Sequence, residues 1–220
     1  MNRLPSFIRQ HIAALRLLLI FTVITGIAYP LFMFGVAQAA FNKQANGSMI
    51  TYHGHVIGSS LLCQEFVYAN GTPMPQYFQS RPSYAIPSPA PKDDYGCDPS
   101  FSAASNLGPN NPKLVQAIKQ RQQQIAAFDH VKISQIPADA VTASGSGLDP
   151  GISPANAAIQ VNRVAAARHI SPADVEALVS KYTTGRTLGF LGEPVVNVLL
   201  LNIALDAKYP VPQGGTAGGS

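Results

Sequence analysis

An uncharged run near the start of the chain limits its fold more than any other feature. Residues 17–37, "LLLIFTVITGIAYPLFMFGVA", are 21 positions without an acidic or basic side chain. At about 1.5 Å per residue, a helix of that length spans the roughly 30 Å hydrocarbon core of a bilayer. Gly26 and Pro30 would weaken a soluble helix, but both are tolerated in membrane-spanning ones. A cleaved signal peptide is the competing reading, because Ala37-Gln38-Ala39 has the A-x-A form. A signal's apolar stretch usually runs about 7–15 residues, so the longer run here favours a retained anchor over residues 15–37.

Charge then orients the anchor. The chain has 15 Lys and Arg against 11 Asp and Glu, a formal net charge of +4. Arg3, Arg9 and Arg16 precede the apolar run, and no acidic residue does. On the far side only Lys43 is basic before Arg81, so the positive-inside rule leaves the N-terminus in the cytoplasm. Residues from 41 onward would lie outside, in the periplasm of a bacterium. The basic excess sits in one short arm, and no helix-turn-helix or aromatic-basic pattern accompanies it. Nucleic acid is therefore not indicated. Cys63 and Cys97 would sit in an oxidising compartment, where a disulfide and two buried thiols are both open outcomes.

Beyond the anchor, residues 44–68 suit strands around a Gly-containing turn. Residues 70–112 hold nine of the 18 prolines and read as one long irregular segment. Such a length inside a domain is either functional or pinned by specific contacts. Three helix starts follow, at Asn111-Pro112, Ser153-Pro154 and Ser171-Pro172, each a capping residue before a Pro at the first helical position. Leu114, Ile118 and Ile125 mark an apolar face on the first helix, and Ala157, Val161, Val164 and Ala165 on the second. The run "PVVNVLLLNIALDAKY" suits strand or helix, and its length favours helix. The expected fold class is α+β, one N-terminal transmembrane helix followed by a single extracytoplasmic mixed domain. Residues 1–14 form a cytoplasmic arm, 41–212 the periplasmic domain, and 213–220, ending "GGTAGGS", a flexible tail.

Residues 141–157, "VTASGSGLDPGISPANA", invite a chemical reading and resist two of them. A phosphate-cradling loop needs a Lys where Leu148 and Asp149 stand. A nucleophile elbow needs Gly two residues before Ser146, and Ser144 occupies that place. Gly145 and Gly147 leave a small anion nest open, but a turn through Asp149-Pro150 into a helix is the simpler reading. His53 and His55 would share one face of a strand, yet no zinc pattern joins them and no metal site is expected. No catalytic residue is assigned. Asn156, Gln160 and Arg163 fall at i, i+4 and i+7, opposite the apolar stripe. That face is either solvated or a hydrogen-bonded network clamping Asp149 or a partner chain.

Taken in order, "YFQSRPS" (77–83), "SNLGPNNPKL" (105–114), "PADAVTASGSGLDPGISPANAAIQVNRVAAAR" (137–168) and "GFLGEPVVNVLLLNIALD" (189–206) resemble the C subunit of the bacterial Kdp-type potassium-transporting ATPase. With the anchor, the resemblance covers nearly the whole chain. The stretch "APKDDYGCDPSF" and the region of His53 and Cys63 match no motif of that family. The resemblance implies a non-catalytic subunit of an inner-membrane pump that imports potassium at the expense of ATP. Its partners would be a catalytic ATP-hydrolysing subunit, a potassium-channel-like subunit and a small membrane subunit. No cofactor would bind directly, and ATP would act through the complex. The family's C subunit is described as a chaperone raising the ATP affinity of the catalytic subunit. With residues 41–220 outside, such an effect must be allosteric; the alternatives are a cap at the ion entrance of the channel-like subunit or a membrane-anchored hydrolase. Ser144, Ser146, Asp149, Asn156, Gln160 and Arg163 would then form an interaction or structural network.

Overall fold

The computed structural model describes residues 5–87 and 96–211. The first four residues of the expected arm, the tail at 213–220 and the first half of "APKDDYGCDPSF" lie outside the described residues. The chain divides into two units, Met1–Ser48 and Met49–Ser220.

In the first unit, α1 (Ser6–Val23), a π turn (Ile24–Ala28) and α2 (Tyr29–Ala40) run as one helix of 35 residues, Ser6–Ala40. None of its residues is buried. It starts directly after Pro5, so residues 6–14, expected as an arm, are helical. Pro30 lacks an N–H, and its ring crowds the carbonyl four residues back. The wider π turn falls at that place, just before Pro30. Phe41, at φ −134°, ends the helix, and one further turn, α3 (Asn42–Ala45), follows. The Nδ2 groups of Asn42 and Asn46 donate to Gln38 Oε1 at 2.8 and 3.1 Å, tying α3 back to α2. The first unit, Met1–Ser48, therefore includes α3.

The second unit opens with an antiparallel hairpin, β1 (Met49–Tyr52) and β2 (His55–Ser59). Its two turn residues, His53 and Gly54, both have positive φ, +48° and +82°, as a tight hairpin turn of right-handed twist demands. This corrects one expectation. His53 stands in the turn and His55 opens β2, so the two do not share a strand face. Among the described residues, no group of three or more His, Cys, Asp or Glu is arranged to hold a metal ion.

After the hairpin the described chain has neither helix nor strand until α4 (Pro112–Asp129), apart from a bridge between Val67 and Pro73. There follow α5 (Ala138–Val141), β3 (Gly151–Ile152), α6 (Pro154–Arg168), α7 (Pro172–Lys181), β4 (Thr183–Thr184), β5 (Val195–Asn197) and α8 (Val198–Lys208). The three short strands form an antiparallel sheet in the order β3-β5-β4. The three anticipated caps are in place. Asn111, Ser153 and Ser171 accept from the backbone N–H groups of Lys113, Asn156 and Asp174 at 2.9, 3.0 and 3.1 Å. Each such cap stabilises its helix by about 1 kcal/mol. The apolar run 194–209 proves to be strand and helix in succession, with Asn197 capping α8 by accepting from Leu200 N at 3.0 Å.

The core gathers Phe78, Ile152, Val164, Val196, Leu201 and Leu205, all essentially inaccessible. At about 2 kcal/mol per buried side chain, these contacts hold α6, α8 and the small sheet together. Phe78 is the exception in kind, because it comes from the irregular segment. Cys63 and Cys97 form a disulfide with Cα atoms 5.5 Å apart, cross-linking positions 34 residues apart in sequence.

Candidate functional site

The spacing of Asn156, Gln160 and Arg163 puts them on one face of α6, and that face is not solvated. Their exposures are 3, 4 and 7 %, because residues 75–79 and the end of α4 lie across it. Arg163 donates from Nε to Asp129 at 2.7 Å, from Nη1 to the carbonyls of Pro75 and Tyr77 at 2.6 and 2.9 Å, and from Nη2 to Gln160 Oε1 at 2.8 Å. Gln160 also brackets the backbone of Gln79, accepting from its N–H at 2.7 Å and donating to its carbonyl at 3.3 Å. Its amide donates to Asn156 Oδ1 at 3.0 Å, and Asn156 Nδ2 donates to Asp139 at 3.1 Å. Asp139 in turn accepts from the backbone N–H and hydroxyl of Ser153, both at 2.8 Å, fixing the start of α6.

Two further side chains complete the grip. Asn202 of α8 brackets Phe78 as Gln160 brackets Gln79, with distances of 2.9 and 3.0 Å. Arg168 donates to the carbonyls of Gln76 and Tyr209 at 2.7 and 2.8 Å and to Asp206 at 2.8 Å. Five consecutive carbonyls, 75 to 79, thus find side-chain donors where a strand would have found a neighbouring backbone. This segment is in neither sheet, and the amide and guanidinium groups stand in for a ladder.

Electrostatics mark the centre of the network. The side chains of Arg163 and Asp129 are each only 4 % exposed. Burial pushes the Asp129 carboxyl above the usual carboxylate range although Arg163 pulls it down. It also draws the Arg163 guanidinium below its ordinary value, against the pull of Asp129. Burial, and next the charge of Asp206, raise the Tyr77 hydroxyl, which donates to Asp206 at 3.1 Å.

Asp149 is not part of this network, which corrects the expectation that the α6 face clamps it. Its partner is Arg81, at 3.0 Å, and it accepts from Gly151 N at 3.2 Å. Geometry explains the separation. Arg163 lies about 15 Å along the helix axis from Ser153, beyond reach of the turn that precedes α6. Ser144 and Ser146 accept from the backbone N–H groups of Gly147 and Leu148 at 2.8 and 3.1 Å. Among the described residues neither hydroxyl bonds an imidazole. Gly147, at φ +73°, passes so close to its neighbours that an added Cβ would sit 2.6 Å from the Ala103 carbonyl. The turn at residues 144–148 is therefore packed against Ser83, Ala85, Ser102 and Ala103 rather than being an open loop.

Beside the network lies a cleft of about 760 Å³, lined among others by Gln79, Arg81, Arg121, Phe128, Asn156 and Gln160. Its walls are built of groups already engaged with backbone and carboxylates, an arrangement that positions chain. Sequence reasoning missed Asp129, Asp139, Arg81 and Asn202. Asp129 ends α4 and Asp139 sits in a four-residue helix, positions where an acid carries no distinctive signal.

The family described as KdpC, K+-transporting ATPase, c chain, matches residues 11–207. A potassium-transporting ATPase KdpC subunit of Sorangium cellulosum is 51% identical over 193 residues, covering 88% of this chain and 95% of the relative. Its counterpart in Dechloromonas aromatica is 48% identical over 194 residues, with 88% and 95% covered. That of Mycobacterium tuberculosis is 48% identical over 199 residues, with 90% and 98% covered. The chain belongs to the KdpC family, the c chain of the K+-transporting ATPase.

Proposed function

We propose that this potassium-transport subunit is an accessory, non-catalytic one, anchored in the inner membrane by a single retained helix with its N-terminus in the cytoplasm. One observation carries the reading. The helix Ser6–Ala40 offers 35 residues with no buried position, an apolar surface that needs lipid or other membrane helices around it. Arg9 and Arg16 lie toward its start, as the positive-inside rule asks of a cytoplasmic end. The unit from Met49 onward lies in the periplasm, and the Cys63–Cys97 disulfide suits an oxidising compartment. The catalytic ATP-hydrolysing subunit, the channel-like subunit and a small membrane subunit are its partners. It stabilises their assembly and raises the ATP affinity of the catalytic subunit from a distance. Cytoplasmic nucleotide cannot reach a periplasmic domain, so this effect is allosteric, with coupling of about 1–3 kcal/mol, or roughly 5–150-fold in affinity.

Protease added to intact spheroplasts tests the topology. The reading expects cleavage within residues 49–211 and protection of the N-terminal segment. Protection of the whole domain overturns it and restores direct contact with ATP. N-terminal sequencing of the mature chain separates a retained anchor from a cleaved signal, which would leave Ala40 first. An unchanged ATP affinity of the complex without this chain overturns the allosteric role.

A further inference from the structure

The connection from β4 to β5 ends in an apolar projection. Leu188, Phe190 and Leu191 are 79, 69 and 50 % exposed. They are nevertheless held in one shape. Thr187 and Leu191 exchange backbone hydrogen bonds, each at 2.9 Å, and Gly189 N donates to the Arg186 carbonyl at 3.1 Å. At the base, Arg186 Nη2 grips both oxygens of Glu193, at 2.9 and 2.7 Å. Leu188 takes φ +55°, a left-handed conformation that costs a non-glycine residue about 1–2 kcal/mol. The turn thus accepts backbone strain and leaves its three largest apolar side chains in water. Neither choice stabilises the chain by itself. Exposed apolar patches of a few hundred Å² mark interaction sites on soluble surfaces.

Charge decides the kind of occupant. Between residues 183 and 197 only Arg186 and Glu193 are charged, and they neutralise each other. A loop that binds an anionic lipid surface adds unpaired Lys or Arg around its apolar tip, and this one has none. A rigid, neutral Leu-Phe-Leu knob fits an uncharged apolar pocket in a protein, as interface anchors do. We propose that residues 188–191 are a docking knob that inserts into an apolar pocket on another subunit of the potassium-transporting ATPase. The proposal rests on the chain's place as a subunit of that complex.

The test uses the full chain expressed with the rest of the ATPase in native membranes. Phe190→p-benzoylphenylalanine, a near-isosteric photocrosslinker, is irradiated, and the product is identified by mass spectrometry. A crosslink to an ATPase subunit, about tenfold stronger than from the same group at exposed Ile133, is expected. A crosslink to lipid, or none, overturns the knob. The double variant Leu188→Ser, Phe190→Ser should retain about tenfold less of the other subunits after detergent purification, with its thermal midpoint unchanged. Undiminished retention, or a lowered midpoint, overturns the proposal. Unmodified chain that fails to co-purify with ATPase subunits removes the subunit reading itself, and the knob with it.

Discussion

Arg163 is the residue on which the second unit's irregular segment depends most, and Arg163→Met tests that dependence. The variant keeps the apolar stem and removes every donor. It leaves Asp129 buried without its cation, a loss that costs about 3–5 kcal/mol. The carbonyls of Pro75 and Tyr77 and the amide oxygen of Gln160 lose a donor as well, at about 1 kcal/mol or more each. Domains of this kind have about 5–15 kcal/mol in total, so the variant should sit near the edge of folding. The chain has 8 Tyr and no Trp, and only Tyr29 lies in the long helix, so tyrosine fluorescence reports chiefly on the second unit. In urea, with the full chain in detergent, the midpoint should fall by about 2 M.

Adding Asp129→Asn removes the stranded charge but cannot restore the carbonyl donors. The double variant should recover part of the loss and stay about 2 kcal/mol below the parent. pH separates the two causes further. Burial already raises the Asp129 carboxyl, and without Arg163 it must rise more. A carboxyl raised in the folded state contributes most below its unfolded pKa of about 3.9, and that contribution is lost as pH rises through the folded value. The deficit of Arg163→Met should therefore be smaller at low pH than at neutral pH, and Asp129→Asn should flatten the difference. A cost below about 1 kcal/mol, full rescue by Asp129→Asn, or a deficit that grows on acidification would refute the reasoning.

Three other substitutions probe the same architecture. Asn202→Leu keeps the volume but orphans the N–H and carbonyl of Phe78, and calorimetry should show a loss of about 2–3 kcal/mol. Replacing Cys63 and Cys97 together by Ser opens a loop spanning a sequence separation of 34, and chain entropy puts the loss in urea at about 3–4 kcal/mol. Gly147→Ala would force its Cβ to within 2.6 Å of the Ala103 carbonyl and 2.8 Å of Ala85 N at φ +73°, so it should destabilise by about 2 kcal/mol or more. An equally stable Gly147→Ala variant would mean that the turn is not packed against Ala85 and Ala103.

What could be read in advance divides by the range of the interaction that decides it. The apolar run, the three cap-and-Pro starts and the i, i+4, i+7 spacing on α6 are set by neighbours within a few residues, and each has a local signature. The switch from β5 to α8 inside one apolar run has none. Apolar residues fill both halves, so hydrophobicity does not alternate at the change, and only Asn197 betrays it. The Gly-containing turn within residues 44–68 was legible, but the place of His53 in it was not, because a His at positive φ has no signature beyond the Gly that follows it.

The α6 face shows the limit most clearly. Spacing alone put Asn156, Gln160 and Arg163 together, but whether such a face meets water depends on what lies across it. Here the cover is residues 75–79, which form neither helix nor strand and therefore leave five carbonyls in want of donors. Those carbonyls and the buried polar face of α6 need each other. Either alone would be costly to bury, and together with Asn202 and Arg168 they satisfy one another. A long irregular segment and a polar helix face of uncertain purpose are thus two halves of one feature. The polar side chains of this face are engaged in holding backbone. The exposed apolar turn at residues 188–191 is by contrast free to meet a partner.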